Sequence, residues 1–319
     1  MSSTQTSAVA AKSRLRSLLP GFAWGVLAYN VAVVLWGAVV RATSSGNGCG
    51  DHWPLCNGVV LQTNPRLATW IELAHRMSSG VTVILVVLLV AWTFRVTVSG
   101  HLARVTAVAA AVLTLNEALL GALLVLLRLT ADNRSPARGV YLSLHLANTL
   151  LLLAALTLTG HFLSRRDGFV RGQVQFSSLP LSVTGLAATL TVGVSGSLAA
   201  LGDTLFPAVS LKAALLQDFS GAGGWLVRVR LIHPLTSAVA GVFICWLLVR
   251  SFSRAAERRL SIVVVALLAL QYGLGVADVL LLAPVWMQIV HLLGADLLWI
   301  ALVVLVARVS VIRVALRVT

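Results

Sequence analysis

Eight long apolar stretches make up most of this chain, and they constrain its fold more than any other feature. A helix that crosses a bilayer needs about 20 mostly apolar residues. The predicted spans are residues 21–41, 71–94, 104–127, 141–163, 179–201, 231–250, 260–282 and 287–307. Only 11% of the 319 residues are charged, whereas soluble domains carry about 25%. The sequence therefore predicts an all-α polytopic membrane protein with eight transmembrane helices.

The distribution of basic residues indicates how these helices are oriented. The chain has 24 Lys and Arg against 10 Asp and Glu, a net charge of +14. Fifteen of the basic residues lie in the tails and loops on the side of the termini, and nine lie on the opposite side. Because Lys and Arg collect in cytoplasmic loops, we expect both termini to be cytoplasmic in a multi-pass protein of a prokaryotic plasma membrane. The basic charge thus points to the lipid bilayer as partner and not to nucleic acid.

The two halves of the chain resemble each other. Gly37 in the first span matches Gly193 in the fifth, and Glu117 in the third span matches Gln271 in the seventh. Each half contains an even number of spans, so the two copies share one orientation, as in parallel repeats. We therefore expect two pseudo-symmetric four-helix bundles.

The repeat also predicts where the chain divides. The N-terminal bundle covers residues 21–165 and the C-terminal bundle covers residues 179–308. We expect a cytoplasmic N-terminal tail at 1–20, a cytoplasmic linker at 166–178 and a cytoplasmic tail at 309–319.

Four of the seven histidines share one predicted geometry. His75, His145, His233 and His291 each lie about one turn inside the non-cytoplasmic end of an even-numbered span. Histidine is uncommon inside spans and is usually functional there. Two imidazoles that meet across a helix bundle can hold a heme iron, whereas zinc and copper sites use three or four ligands. The pattern favours one heme per half, held by His75 with His145 and by His233 with His291; four unrelated packing histidines are the alternative.

Arginines flank these histidines on the non-cytoplasmic side. Arg76, Arg138, Arg228 and Arg230 are candidates for pairing with heme propionates, because a guanidinium suits bidentate binding of a carboxylate. The alternative is charge without a ligand role.

Two glutamates lie within the predicted bundles. Glu72 precedes His75 by three positions, so both occupy one helix face, and the matching position in the second half is Arg230. A carboxylate there can relay protons or stabilise a developing cation, or it can simply favour the start of a helix. Glu117 lies in the middle of the third span, where an acid is costly unless it faces the bundle interior; a proton path and a packing role both stay open for it.

Two cysteines, Cys49 and Cys56, lie close together in the loop after the first span. A non-cytoplasmic compartment permits a disulfide between them. Such a bond could be a structural link or a redox relay, and the spacing does not decide between the two.

These residues together resemble one family. The segment Trp53-Pro54-Leu55-Cys56-Asn57-Gly58 after Cys49, the motif Glu72-x-x-His75-Arg76, and His145, His233-Pro234 and His291 are similar to the heme A synthases over nearly the whole chain. The family converts the C8 methyl group of heme O to the formyl group of heme A by successive hydroxylation to a geminal diol, which loses water. Some members carry a second cysteine pair in the loop between spans five and six, which this chain lacks between residues 202 and 230.

The resemblance implies a role for each half. The N-terminal half would receive the substrate heme O near His75 and His145, with Glu72 as the catalytic acid. The C-terminal half would hold a heme b cofactor (iron protoporphyrin IX) through His233 and His291. The resemblance also implies heme O synthase and cytochrome c oxidase assembly factors as partners, and it leaves the electron donor unidentified.

Two other functions compete with this one. A di-heme b-type electron carrier, such as a quinol oxidoreductase, also uses paired helix histidines, but it has no need of an acid in one half or of a bridged loop over one site. A transporter can be built from repeats, but it has no need of four matched histidines.

Overall fold

A computed structural model describes residues 3–59, 63–165, 174–176, 179–219 and 224–313, and the side chains of 15–59, 63–165, 183–219 and 224–310. Eight of its helices are long and apolar enough to cross a membrane, at Leu15–Ala42, Leu67–Val96, Leu102–Leu126, Pro136–Ser164, Val183–Leu205, Gly224–Phe252, Arg258–Leu280 and Val285–Ser310. A helix satisfies its own backbone hydrogen bonds, as a membrane span must, because hydrocarbon offers no hydrogen-bond partners. The predicted all-α polytopic membrane protein is confirmed.

The first four long helices form a closed ring. They are α1 (Ser3–Ala42), α2 (Leu67–Val96), α3 (Leu102–Leu126) and α4 (Pro136–Ser164). Each contacts the next, and α4 returns to contact α1. The sequence marks the start of α4 clearly, because the Ser135 side chain accepts the N–H of Arg138 and Pro136 occupies the first turn, as expected at a helix N-terminus.

The second half repeats this ring. Its helices are α5 (Leu179–Leu205), α6 (Leu211–Phe219), α7 (Gly224–Arg230), α8 (Ile232–Phe252), α9 (Arg258–Leu280) and α10 (Val285–Ser310). Helices α5, α8, α9 and α10 contact one another in the same cyclic order as α1 to α4. The short helices α6 and α7 lie between α5 and α8, on the side of the bundle that carries the Cys49–Cys56 loop. This side is called the disulfide end below.

A central seam joins the two rings. Helix α4 contacts both α5 and α10, and α1 also contacts α10. The largest buried apolar cluster comes mainly from α1, α2 and α4 and takes in Trp299 and Val303 of α10. Within it, Trp299 Nε1 donates to the carbonyl of Leu150 at 2.7 Å. The halves are therefore one packed unit along α4 and α10.

A short ribbon lies opposite the disulfide end. Strand β1 (Val174–Phe176) pairs antiparallel with β2 (Val311–Arg313), with Gln175 opposite Ile312. The strands belong to the segments expected as linker 166–178 and tail 309–319, whose residues 166–173, 177–178 and 314–319 lie outside the described residues.

Several helices extend farther than the apolar stretches predicted. Helix α1 begins at Ser3, within the expected tail 1–20, and α2 and α4 begin at Leu67 and Pro136. At a rise of about 1.5 Å per residue, His75 and His145 therefore lie more than two turns inside their helices. The expectation of one turn is wrong for both, because α2 and α4 begin several residues before the predicted apolar stretches.

Candidate functional site

The two histidines predicted to pair in the second half are in contact. The ring centroids of His233 and His291 are 6.4 Å apart and the rings are perpendicular. Metal–imidazole bonds are about 2 Å long, so two imidazoles on opposite faces of one iron have centroids roughly 6 Å apart. The observed spacing therefore fits a shared iron.

The contacts of His233 are compatible with the tautomer that a metal needs. Ser195 Oγ lies 3.1 Å from His233 Nδ1 and donates to the carbonyl of Val192 at 2.9 Å. With its hydroxyl proton used there, Ser195 can accept the Nδ1–H of His233. This arrangement leaves Nε2 unprotonated and free to bind a metal. A histidine that binds a metal usually donates its other ring N–H to such a partner.

A glycine on the preceding long helix backs each of the four histidines. An added Cβ would meet the imidazole Cε1 at 3.0 Å for Gly37 and His75, 3.7 Å for Gly121 and His145, 2.9 Å for Gly196 and His233, and 3.2 Å for Gly275 and His291. The histidine rings thus lie close to the backbone of a neighbouring helix. The structural counterpart of Gly37 is Gly196, so the sequence match to Gly193 is wrong by about one turn.

In the first half, Glu117 lies beside His145. Glu117 Oε1 is 3.4 Å from His145 Nδ1, which is longer than an ordinary hydrogen bond. Asn148 Nδ2 donates to Glu117 Oε2 at 2.5 Å, and the Thr149 hydroxyl donates to Oε1. His75 Nδ1 is buried without a hydrogen-bond partner among the described residues.

At the matching place in the second half, an amide replaces the carboxylate. Gln271 Nε2 lies 3.3 Å from both ring nitrogens of His291 and donates to the main-chain carbonyl of His291 at 3.1 Å. The predicted match of Glu117 with Gln271 therefore corresponds to two side chains that each contact a candidate iron ligand.

Glu72 is buried, and its carboxylate holds the disulfide loop. One oxygen accepts the N–H of Cys49 at 2.8 Å and the other is 2.5 Å from Arg76 Nη2. Arg76 Nη1 donates to the carbonyls of His52 and Leu55 at 2.6 and 2.8 Å. Both oxygens of Glu72 are therefore engaged by the protein one helical turn from His75.

The loop that Glu72 and Arg76 hold is closed by a disulfide between Cys49 and Cys56. Both half-cystines are buried and pack against Leu73 of α2. The Thr69 hydroxyl donates to the carbonyl of Gly48 at 2.7 Å. The loop is thus fixed over the first-half ring at the disulfide end.

The other propionate candidates differ in their surroundings. Arg138 is buried and donates to the carbonyls of Ala131 and Asn133, and Arg228 is exposed on α7. Arg230 occupies the position that matches Glu72, and it likewise holds a loop, donating to the carbonyls of Gly202 and Phe206 at 2.8 Å.

Arg230 also binds two carboxylates. Its Nε is 3.2 Å from Asp203 and its Nη1 is 3.6 Å from Asp218. Withdrawal from water raises the pKa of the Asp218 carboxyl, and Arg230 opposes this shift.

The structure adds two residues that the sequence did not single out, Arg41 and Asp296. Arg41 of α1 donates to Thr204 of α5 at 3.2 Å and to Gln288 of α10 at 2.9 Å. Asp296 of α10 is fully buried, and neither carboxylate oxygen has a hydrogen-bond partner among the described residues. The signal for Asp296 was present, since an acid inside an apolar span is rare.

The described residues fit two hemes better than a metal cluster. Nowhere in the described ranges do three or more His, Cys, Asp or Glu side chains come together as a metal site. Each ring instead offers two histidines, and the facing glycines let each imidazole lie close to the backbone of a neighbouring helix. The donor set matches the axial ligation of a heme.

Comparison with known proteins agrees with this geometry. A protein of Thermus thermophilus named protoheme IX farnesyltransferase is 43% identical over 294 residues, which are 91% of this chain and 48% of that protein. Proteins named heme A synthase from Alkalihalophilus pseudofirmus and Halalkalibacterium halodurans are each 41% identical, over 90 and 92 residues. Those stretches are 28% and 29% of this chain and 30% and 31% of the two relatives.

This chain spans about half the length of the Thermus thermophilus protein. It also matches a family described as cytochrome oxidase assembly protein over residues 21–303, which include the four histidines, six whole spans and most of the first and last spans. The chain belongs to the COX15-CtaA family of cytochrome oxidase assembly proteins.

Proposed function

We propose that the chain is a heme A synthase, an oxidoreductase that converts the C8 methyl group of heme O to a formyl group for cytochrome c oxidase. The observation that carries the proposal is the contact of His233 with His291 in one of two equivalent helix rings, together with the glycine that backs each of the four imidazoles. Family membership and the heme A synthase names of partial relatives support it.

The name of the Thermus thermophilus relative does not weigh against this proposal. That protein is named for transfer of a farnesyl group to protoheme, but the chain matches only 48% of it. The named activity can therefore reside in the part that has no counterpart in this chain. Farnesyl transfer and methyl oxidation also have different products, so a single product analysis separates them.

We infer that the two halves divide the work, with the boundaries 21–165 and 179–308. His233 and His291 hold heme b in the C-terminal half, with Ser195 orienting His233. Bound there, the heme supplies an iron that can take up and release single electrons. His75 and His145 receive heme O in the N-terminal half.

The reaction on the substrate is a stepwise oxidation. Each of two hydroxylations replaces one C–H bond of the methyl carbon with a C–OH bond, and an external oxidant of the dioxygen class supplies the oxygen atom and accepts the two electrons that the carbon loses. The resulting geminal diol loses water to leave the formyl group. We propose Glu72 as the acid that serves this half. It lies one turn from His75 with its charge fixed by Arg76, and its negative charge favours cationic character at the carbon beside it.

Arginines at the disulfide end serve the anionic propionates in this proposal. A guanidinium has five donors, so Arg76, Arg138 and Arg230 keep N–H groups beyond those bound to the protein. Arg228 is exposed and offers its whole guanidinium.

We propose that the disulfide end faces away from the cytoplasm of a prokaryotic plasma membrane, with both termini inside. The disulfide supports this orientation, because such bonds persist in oxidising compartments. The excess of basic residues on the opposite side supports it as well. Heme O synthase and cytochrome c oxidase assembly factors are the proposed partners, and the electron donor is a separate component.

The test is expression of the chain in cells that make heme O but no heme A, followed by chromatography of the extracted hemes. We expect heme A to appear with the wild-type chain and to be lost with Glu72→Ala or His75→Ala. Heme O that accumulates unchanged beside a folded, heme-containing protein would leave the di-heme electron carrier as the function. Production of heme O from protoheme by this chain would assign it the farnesyl transfer.

A further inference from the structure

We propose that Glu117 is a positioning residue for His145. The second half has Gln271 in place of this glutamate, and we propose that His145 is therefore a more basic iron ligand than His291. The proposal rests on heme binding by the histidine pairs, as in the proposed function. It gives a role to Glu117, for which the sequence left both a proton path and a packing role open.

The first step is the placement of the carboxylate. Glu117 projects from α3 toward α4, where Asn148 and Thr149 each donate to one of its oxygens. Asn148 is held in turn by Asn116 at 2.8 Å and by the carbonyl of Leu113 at 2.9 Å. The carboxylate is therefore fixed within a network and is not free to turn toward lipid.

The second step is its relation to His145. Glu117 Oε1 lies 3.4 Å from His145 Nδ1, and Thr149 Oγ1, which donates to that oxygen, lies 3.0 Å from the carbonyl oxygen of His145. A small rotation of the imidazole closes the gap to a hydrogen bond. When Nδ1–H points at the carboxylate, Nε2 is left as the iron ligand, which is the usual arrangement of a carboxylate, a histidine and a metal.

The third step is the contrast with the second half. Gln271 meets His291 with an amide whose Nε2 donates to the His291 carbonyl at 3.1 Å. An amide carries no charge, so it does not polarise an imidazole N–H as a carboxylate does. A carboxylate on Nδ1–H raises the basicity of the imidazole, and a more basic ligand favours ferric over ferrous iron. The two sites therefore differ in potential, with the first-half site the lower one.

The experiment isolates each site in the full-length chain. The double variant His233→Ala/His291→Ala leaves the first-half pair, and His75→Ala/His145→Ala leaves the second-half pair. Each protein in detergent is titrated with hemin as the probe, and the midpoint potential of the bound heme is measured by spectroelectrochemistry. Glu117→Gln is added to the first background and Gln271→Glu to the second. Thr114→Val is the control, because this buried hydroxyl on α3 binds the carbonyl of Ala110.

We expect Glu117→Gln to reduce the preference of the first-half site for ferric over ferrous iron by about tenfold. This corresponds to a rise of about 59 mV in the midpoint potential for one electron. Gln271→Glu should shift the second site in the opposite direction, and Thr114→Val should shift neither. Unchanged potentials in both exchanges overturn the proposal, as does an equal shift with Thr114→Val. If Glu117→Gln prevents folding, the Gln271→Glu result decides alone.

These results are separate from the proposed function. A chain that binds hemin with the predicted shifts but forms no heme A refutes the synthase and keeps the role of Glu117. A chain that forms heme A but shows no shift refutes the role of Glu117 and keeps the synthase.

Discussion

Arg76 fixes the carboxylate of Glu72, with Arg76 Nη2 2.5 Å from Glu72 Oε1. The pair is buried, since the exposed fraction of the side chain is only 11% for Arg76 and 4% for Glu72. Arg76 also donates to the carbonyls of His52 and Leu55. One ion pair thus connects the proposed acid of the first half to the disulfide loop above it.

Loss of this pair should weaken the fold measurably. Glu72→Ala leaves the buried Arg76 without its counter-charge and the Cys49 N–H without its acceptor, so we expect a loss of about 3–5 kcal/mol in the free energy of unfolding. Thermal unfolding in detergent, calibrated with denaturant, measures it. The control is Asp51→Ala, because Asp51 pairs with Arg128 at 2.8 Å on the exposed surface, where a pair contributes about 0–1 kcal/mol. Equal losses in the two variants would contradict the assignment.

Ser195 should control how firmly the heme proposed for the second half is held. Ser195→Ala removes the acceptor for His233 Nδ1–H, and loss of such a partner typically weakens metal binding by about 10–100-fold. Hemin titration monitored at the Soret band gives the affinity. Ser197→Ala is the matched control, since its hydroxyl binds the carbonyl of Val194 on the same helix. An affinity that falls equally in both variants speaks against the role of Ser195.

Gly196 should be irreplaceable where it backs His233. In Gly196→Ala the new Cβ would lie 2.9 Å from His233 Cε1, so the imidazole must shift and heme content should fall. Gly185→Ala on the same helix meets nothing within 4 Å, and we expect it to stabilise the helix by about 0.5–1 kcal/mol. Heme content per purified protein and the midpoint of thermal unfolding measure the two effects. Full heme retention by Gly196→Ala would show that the ring has more room than the structure gives it.

Asp296 should be dispensable for folding. Its carboxyl is fully buried with no hydrogen-bond partner among the described residues, and an unsatisfied buried polar group costs about 1–3 kcal/mol. We therefore expect Asp296→Leu to raise the unfolding temperature. Asn148→Leu is the comparison, because Asn148 is equally buried but binds Glu117 and the carbonyl of Leu113; it should lower that temperature. A strong destabilisation by Asp296→Leu would indicate a partner for this acid.

The sequence predicted the architecture because spans and repeats are encoded locally. Apolar stretches of membrane length predicted all eight helices, and the histidine repeat predicted two similar rings. The helix starts were less predictable, since α2 and α4 begin at Leu67 and Pro136, before the apolar stretches from which they were predicted. For the same reason His75 and His145 lie deeper in their helices than expected.

The environment of each site residue depended on contacts between helices, which the sequence does not display. The identity of Glu72 was visible, but its engagement by Arg76 and Cys49 required the loop to fold back on α2. Likewise, nothing in the sequence brings Ser195 to His233 or Glu117 to His145, since these contacts depend on how neighbouring helices rotate against each other.

Heme content and ligation in the purified full-length chain test the central claim most directly. We predict a low-spin heme with two imidazole ligands by electron paramagnetic resonance. Heme b should be lost in His233→Ala and His291→Ala and retained in His52→Ala, whose exposed imidazole lies in the disulfide loop. Unchanged heme content and an unchanged signal in both His233→Ala and His291→Ala would contradict the account.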